Sequence, residues 1–239
     1  MICKGFFISF EGIDGSGKST QTKLLRDQLE AAGHDVVLTR EPGGSPGAEE
    51  IRALVLQGDP DRWSAHTEIL LFTAARRDHL ERTIQPALAS GKIVICDRFA
   101  DSTRMYQGLS RGDLRDCVDR LHKLMIGVEP DLTVLIDMDP TEGLSRALAR
   151  NTVEERFEDF GEDLQVAMRA GFLSLAQEFP DRFVVIDGSG PIDSVAADPG
   201  PYRPDRSDRG RSPRMFGAMT CFGIAKALLL TRQSARPLS

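Results

Sequence analysis

Asparagine occurs once in this chain, at Asn151, and no apolar stretch is long enough to cross a bilayer. The first absence removes the Asn-Lys-x-Asp signature of guanine-reading switch proteins, and the second argues against a membrane-spanning helix. Positive charge is not in excess either: the net charge is −6 and the pI is near 5.3. That excludes general nucleic-acid binding, but not a phosphate site, whose field is set by local arginines and backbone N–H groups. The four cysteines, Cys3, Cys96, Cys117 and Cys221, lack metal-ligand spacing. Cys96 lies in an apolar strand pattern, where a thiol behaves as a small hydrophobe; a reduced, cytoplasmic setting is expected. The histidines, His34, His66, His79 and His122, show no ligand spacing and are expected on the surface or on helix faces. The first apolar run is cut by Glu11 too early for a signal peptide. No internal repeat is evident.

What is present centres on Gly12-Ile13-Asp14-Gly15-Ser16-Gly17-Lys18-Ser19. Phe6-Phe7-Ile8-Ser9-Phe10 before it suits a buried strand, and Leu24, Leu25 and Leu29 after it recur at helical spacing. Strand, G-x-x-x-x-G-K-S loop and helix together define a nucleotide phosphate site. The glycines let the backbone curl so that successive N–H groups face phosphate oxygens, aided by the helix N-terminus. In that arrangement Lys18 reaches the outer phosphates and the Ser19 hydroxyl helps to hold Mg²⁺.

At 239 residues, 41% hydrophobic and 28% charged, the chain suits one soluble domain with an appendage. Strands are expected at Val36–Leu38, Ile93–Cys96, Leu132–Ile136 and Phe183–Ile186. Helices are expected over about 48–56, over 64–89 with Ile69, Leu70, Phe72, Ala75, Leu80 and Ile84 on its apolar positions, and from near Asp113 with Leu114, Val118, Leu121, Leu124 and Met125. Asp139-Pro140 is expected to open another helix, with an acidic cap and proline at the first position, and a last helix spans about 164–177. Asp101 to Gly108 reads as a polar segment. The alternation implies a doubly wound α/β fold: a central parallel sheet with helices on both faces and right-handed crossovers. Ligands in such sheets gather at the carboxyl ends of the strands. That collects the loop after Phe10, the Arg40 loop and Asp97-Arg98 at one edge. From Asp198 to Arg214 the chain is mostly Pro, Gly, Ser, Arg and Asp, which reads as disordered. Residues 1–197 are therefore expected to form the core domain and 198–239 an atypical tail.

A phosphate loop alone does not separate kinases, GTPases and motor ATPases. Further motifs narrow the choice: Thr39-Arg40-Glu41-Pro42-Gly43-Gly44, Leu71-Phe72-Thr73-Ala74-Ala75-Arg76, Asp97-Arg98-Phe99-Ala100-Asp101-Ser102-Thr103, Tyr106-Gln107-Gly108 and Arg156-Phe157-Glu158. With Gly12 to Thr20 they resemble thymidylate kinase, in the right order over about 5–197. The resemblance implies a three-layer P-loop nucleoside-monophosphate-kinase-like fold. It also implies ATP- and Mg²⁺-dependent phosphorylation of dTMP to dTDP, with a homodimer built on long helices.

The acceptor is itself an anionic phosphate, so no general base is required. Catalysis becomes alignment plus charge neutralisation. The resemblance places Lys18 and the N–H groups of Gly12 to Thr20 on the ATP phosphates, and Arg98 on the acceptor phosphate and the transferring group. Ser19 and Asp97 fall near Mg²⁺, Arg40 near the substrate, and Asp14 on its sugar hydroxyl. Phe72 would stack on thymine, Arg76 would bond a base carbonyl, and Thr103 and Gln107 would read the base edge. Tyr106 would crowd a ribose 2′-hydroxyl. Some family members carry a basic residue in the loop where this chain has Gly15-Ser16. Members without it resemble this one in using lid arginines, here Arg150 or Arg156 within a lid at about 146–160. A kinase for another nucleoside monophosphate and a nucleotide-binding protein without catalysis are the alternatives.

Overall fold

The computed structural model describes residues 5–58, 62–108, 112–149 and 161–192. The tail after residue 192, and Arg150 and Arg156 of the expected lid, lie outside these residues.

Strands β1 (Phe6–Glu11), β2 (Val36–Arg40), β3 (Ile93–Asp97), β4 (Leu132–Asp137) and β5 (Phe183–Asp187) form one parallel sheet in the order β2-β3-β1-β4-β5. Every expected strand is present, each extended by a residue or two at the carboxyl end. Side chains alternate between faces. Phe6, Ile8 and Phe10 pack with Ile95, Val134 and Ile186 beneath Leu25 and Leu29 of α1 (Lys18–Ala31). Phe7, Val94 and Cys96 face the other way, against Leu80, Ile84 and Ala87. On that side Ser9 Oγ and Thr133 Oγ1 satisfy each other at 3.0 Å in the interior.

The chain runs from β1 out to β2, returns through β3 and then places β4 on the other side of β1. That reversal opens a crevice at the strand ends, where the Gly12–Ser19 loop lies. Helix α2 (Pro46–Leu56) follows the β2 loop. The expected long helix is α3 (Ala65–His79) continued by a π-turn, Leu80–Ile84, into α4 (Gln85–Ala89). Ser64 caps α3, its Oγ accepting from the Thr67 N–H at 3.2 Å.

Several expectations need correction. The polar segment is helix α5 (Ala100–Tyr106), buried along its whole length. Helix α6 (Arg115–Leu121) begins two residues after Asp113 and passes into a π-turn, His122–Ile126. Leu70, Leu124 and Met125 are not core residues: they are 57%, 78% and 45% exposed. Their neighbours already fill the contact with the sheet, and the apolar stripe is wider than that contact. Helix α7 (Pro140–Leu148) starts as expected, with Asp139 Oδ1 accepting from Thr141 N and Glu142 N. Helix α8 (Gly161–Glu178) packs Met168 and Phe172 onto Ile13, Met105 and Leu135.

Candidate active site

The crevice holds a cavity of about 440 Å³, within the usual size of small-molecule sites. At one end it is lined by Asp14, Gly15, Gly17, Lys18 and Ser19, at the other by Phe72, Arg76, Thr103, Tyr106 and Gln107, with Asp97 and Arg98 between them and Arg40 on the rim. Sequence reasoning proposed these residues separately; the fold brings them to one cavity. Gly12, Ile13, Ser16 and Thr20 do not line it. The Ile13 side chain belongs to the apolar cluster with Met105 and Phe172, so only its backbone serves the loop.

Lys18 is 6% exposed. Its Nζ donates to Gly12 O at 3.0 Å, Ile13 O at 2.7 Å and Ser16 Oγ at 3.4 Å. Burial and the neighbouring Arg98 bring its pKa down to about 8, against the opposing pull of Asp14, Asp97 and Glu11. A triphosphate in the loop would supply the negative charge that this ammonium lacks.

Arg98 follows β3 in a left-handed backbone conformation, φ +69°, sparsely populated for a residue with a side chain. Its Nη1 donates to Ser102 Oγ at 3.0 Å and Gly12 O at 3.3 Å, and its Nη2 to Asp14 and to Tyr106 Oη at 3.2 Å. Burial opposes its charge, but Tyr106, Asp14, Asp97 and Glu11 outweigh burial and raise its pKa. Burial alone would raise the pKa of Asp14; Arg98, Lys18 and hydrogen bonds from Tyr106 and Gln165 lower it instead. A carboxylate and a guanidinium thus stand paired in the middle of the cavity, ready to repartition when an anion enters.

Base-side geometry is equally specific. Phe72 and Arg76 are one turn apart on α3 and both face the cavity. Arg76 Nε donates to Glu41 Oε2 at 2.7 Å, and Nη2 donates to Thr103 Oγ1 at 2.9 Å and Phe99 O at 3.2 Å. Nη1 has no partner among the described residues. Gln107 Nε2 is buried without a hydrogen-bond partner, a donor beside the cavity in want of an acceptor.

Ser19 Oγ donates to Asp97 Oδ2 at 2.5 Å beside the loop. A hydroxyl and a carboxylate next to a phosphate site are hard oxygen donors, and they fit Mg²⁺, which keeps waters and takes its remaining ligands from substrate phosphates. Among the described residues no group of three or more His, Cys, Asp or Glu side chains is placed to hold a metal by itself.

Sequence reasoning missed several residues here. Glu11 is fully buried at the end of β1, accepting Phe99 N at 2.8 Å and Ser102 Oγ at 2.6 Å. Burial and then Asp101 raise its pKa to about 7, over the opposing pull of Ser102, Arg98 and the Phe99 N–H. Arg52, Leu56 and Pro42 line the cavity, and Gln165 reaches Asp14 from α8. His79 and His122 lie on helical elements, as expected, but both are buried. His79 is fully buried, and His122 is 7% exposed at the side chain with Nε2 3.0 Å from Glu129 Oε1. Of these only Pro42 stood inside a motif; the rest carry no local signal.

The family model described as thymidylate kinase matches residues 10–198. A thymidylate kinase of Ruegeria pomeroyi is 77% identical over 194 residues, 81% of this chain and 92% of the relative. That of Caulobacter vibrioides is 53% identical over 195 residues, 81% of this chain and 93% of the relative. The crystal structure of thymidylate kinase from Ehrlichia chaffeensis superposes with a TM-score of 0.63 at 39% identity, covering 76% of this chain and 92% of that one.

Proposed function

Since this chain belongs to the thymidylate kinase family and phosphorylates dTMP from ATP, we propose the following assignment of its cavity. The ATP phosphates lie on the Gly12–Ser19 loop under Lys18, and the dTMP phosphate meets Arg98. The thymine ring rests on Phe72, with Arg76 Nη1 and Gln107 Nε2 donating to its edge beside Thr103. Asp14 takes the sugar hydroxyl. Tyr106, whose hydroxyl donates to Asp14 Oδ2 at 2.7 Å, stands where a ribose 2′-hydroxyl would fall. The carrying observation is one continuous cavity that joins the phosphate loop to the aromatic helix through Arg98. No proton need be removed from the acceptor, so the residues align two polyanions and neutralise the charge between them. Ser19 and Asp97 would hold Mg²⁺, which adds positive charge to the phosphates. The free thiols of Cys96 and Cys117 fit a cytoplasmic setting.

The remaining cation comes from the lid. A Cβ at Gly15 would stand 1.9 Å from Gly143 O in α7, so position 15 has no room for a basic side chain. Arg146 is already engaged with Glu142 at 2.5 Å. That leaves Arg150 or Arg156 to reach the phosphates. Product formation from ATP and dTMP, dUMP, dCMP or dGMP, with and without Mg²⁺, tests the assignment. Turnover should require Mg²⁺, favour dTMP and fall about a hundredfold in one of Arg150→Ala and Arg156→Ala. Equal rates across the bases would refute the base site, and unchanged rates in both variants would refute the lid.

The chain also forms a homodimer, a reading supported by exposed Leu70, Leu124 and Met125. Leu70 shares a face of α3 with Arg77, seven residues on, and Arg77 Nη1 donates to Met125 O at 2.8 Å. The exposed apolar side chains therefore sit on adjoining elements. Sedimentation should give twice the chain mass, and Leu124→Glu should shift it toward one; a wild-type monomer at micromolar concentration would rule the dimer out.

A further inference from the structure

Behind Arg76 stands a chain of groups that touches no substrate in the proposed assignment. Thr39 Oγ1 lies 2.7 Å from His79 Nε2, and His79 Nδ1 lies 3.1 Å from Glu41 Oε1. The other carboxylate oxygen, Oε2, takes the Arg76 Nε–H at 2.7 Å. An ionised carboxylate only accepts, so Nδ1 carries a proton and donates to it; in the neutral imidazole Nε2 is then the acceptor for the Thr39 hydroxyl. The bonds then converge on Glu41: Thr39 and His79 donate toward it from one side, and Arg76 donates to it from the other. His79 is fully buried, and the side chains of Glu41 and Arg76 are 4% and 5% exposed. Gly44 closes the chain from outside: a Cβ there would stand 2.4 Å from both His79 Nε2 and Thr39 Oγ1.

With Nε held by Glu41, Nη2 held by Thr103 and Phe99, and the guanidinium carbon 5.1 Å from the Phe99 ring centroid, the plane of Arg76 has no freedom to rotate. We propose that Glu41, oriented by His79 and Thr39, is the positioning residue for base selection, fixing the one direction in which Arg76 can donate. An arginine held this way accepts nothing. It meets a carbonyl at the 4-position of thymine or uracil, and it opposes the amino group that cytosine carries there. An arginine free to swing aside would tolerate either base. The discrimination thus resides in the rigidity behind the guanidinium as much as in the guanidinium itself.

This inference rests on the reading of Arg76 as a base contact, and the test separates the two. The ratio of kcat/KM for dTMP to that for dCMP is measured in the full chain, its Glu41→Gln and His79→Gln variants, and Arg76→Lys. Glu41→Gln leaves Arg76 a neutral amide in place of a charge; the ratio should fall about tenfold or more, through a raised KM for dTMP with kcat within about threefold. His79→Gln, which keeps the Glu41–Arg76 ion pair but loosens its support, should lower the ratio about threefold and serves if Glu41→Gln fails to fold. A purely structural role would lower stability and weaken both substrates alike. An unchanged ratio in the folded Glu41 and His79 variants, beside a lowered one in Arg76→Lys, would overturn the proposal. An unchanged ratio in Arg76→Lys would overturn the base contact and the proposal with it.

Discussion

Arg98→Ala is expected to lower kcat/KM for dTMP by about a thousandfold, some 4 kcal/mol of transition-state stabilisation. Arg98 stands between the phosphate loop and the base site, and its guanidinium already touches the loop at Gly12 O and the sugar side at Asp14 and Tyr106. Burial strengthens any charge interaction made there, and the surrounding carboxylates keep the group cationic. Its backbone conformation points the same way. A residue held at φ +69° is costly unless its surroundings enforce it, and Glu11 does so by taking both the Phe99 N–H and the Ser102 hydroxyl. Arg98→Lys keeps the charge but loses the planar fork, so it should recover no more than about tenfold. Steady-state kinetics with circular dichroism on both variants would decide it. A folded Arg98→Ala enzyme within tenfold of wild type would mean that the transferring phosphoryl group lies elsewhere.

Gly15→Ala is expected to cost about 3–5 kcal/mol of stability and to abolish measurable ATP binding. Two separate penalties combine. The φ of +78° disfavours any side chain, and the added Cβ would meet the backbone of Gly143 at 1.9 Å, which no rotamer relieves. A Cβ at Gly143 would in turn lie 2.8 Å from Asp14 O, so loop and helix α7 pack backbone to backbone. Gly17→Ala is the control: its φ is +92°, but nothing lies within 4 Å of an added Cβ. Without nucleotide it should lose only the conformational penalty, about 1–2 kcal/mol. Thermal unfolding of the two variants, with titration of an ATP analogue, tests this. Equal destabilisation would show that the α7 contact is unimportant.

Where a pattern is local, the sequence carried it. The strands were legible because Ile93–Cys96 and Leu132–Ile136 are continuous apolar runs, as strands buried on both faces must be. The phosphate loop was legible because glycine, lysine and serine spacing encodes its backbone. Helix α5 was not. Its polar residues look like a loop until distant partners bury them: Asp101 is fully buried, with Arg104 Nη1 at 2.7 Å and Arg182 Nη1 at 2.6 Å from 81 residues away. The burial of His79 was hidden for the same reason, since its partners Thr39 and Glu41 lie some 40 residues earlier. Gln165 belongs to this class too. Leu70 and Leu124 failed in the opposite sense, because an apolar helical stripe says that a face seeks burial without saying what covers it.

A crystal grown with dTMP and a non-hydrolysable ATP analogue would test the assignment of the cavity most directly. The thymine ring should lie on Phe72 within hydrogen-bonding reach of Arg76, with the dTMP phosphate on Arg98 and in line with the terminal phosphate held by Lys18. A dTMP phosphate away from Arg98, or a ring away from α3, would contradict it.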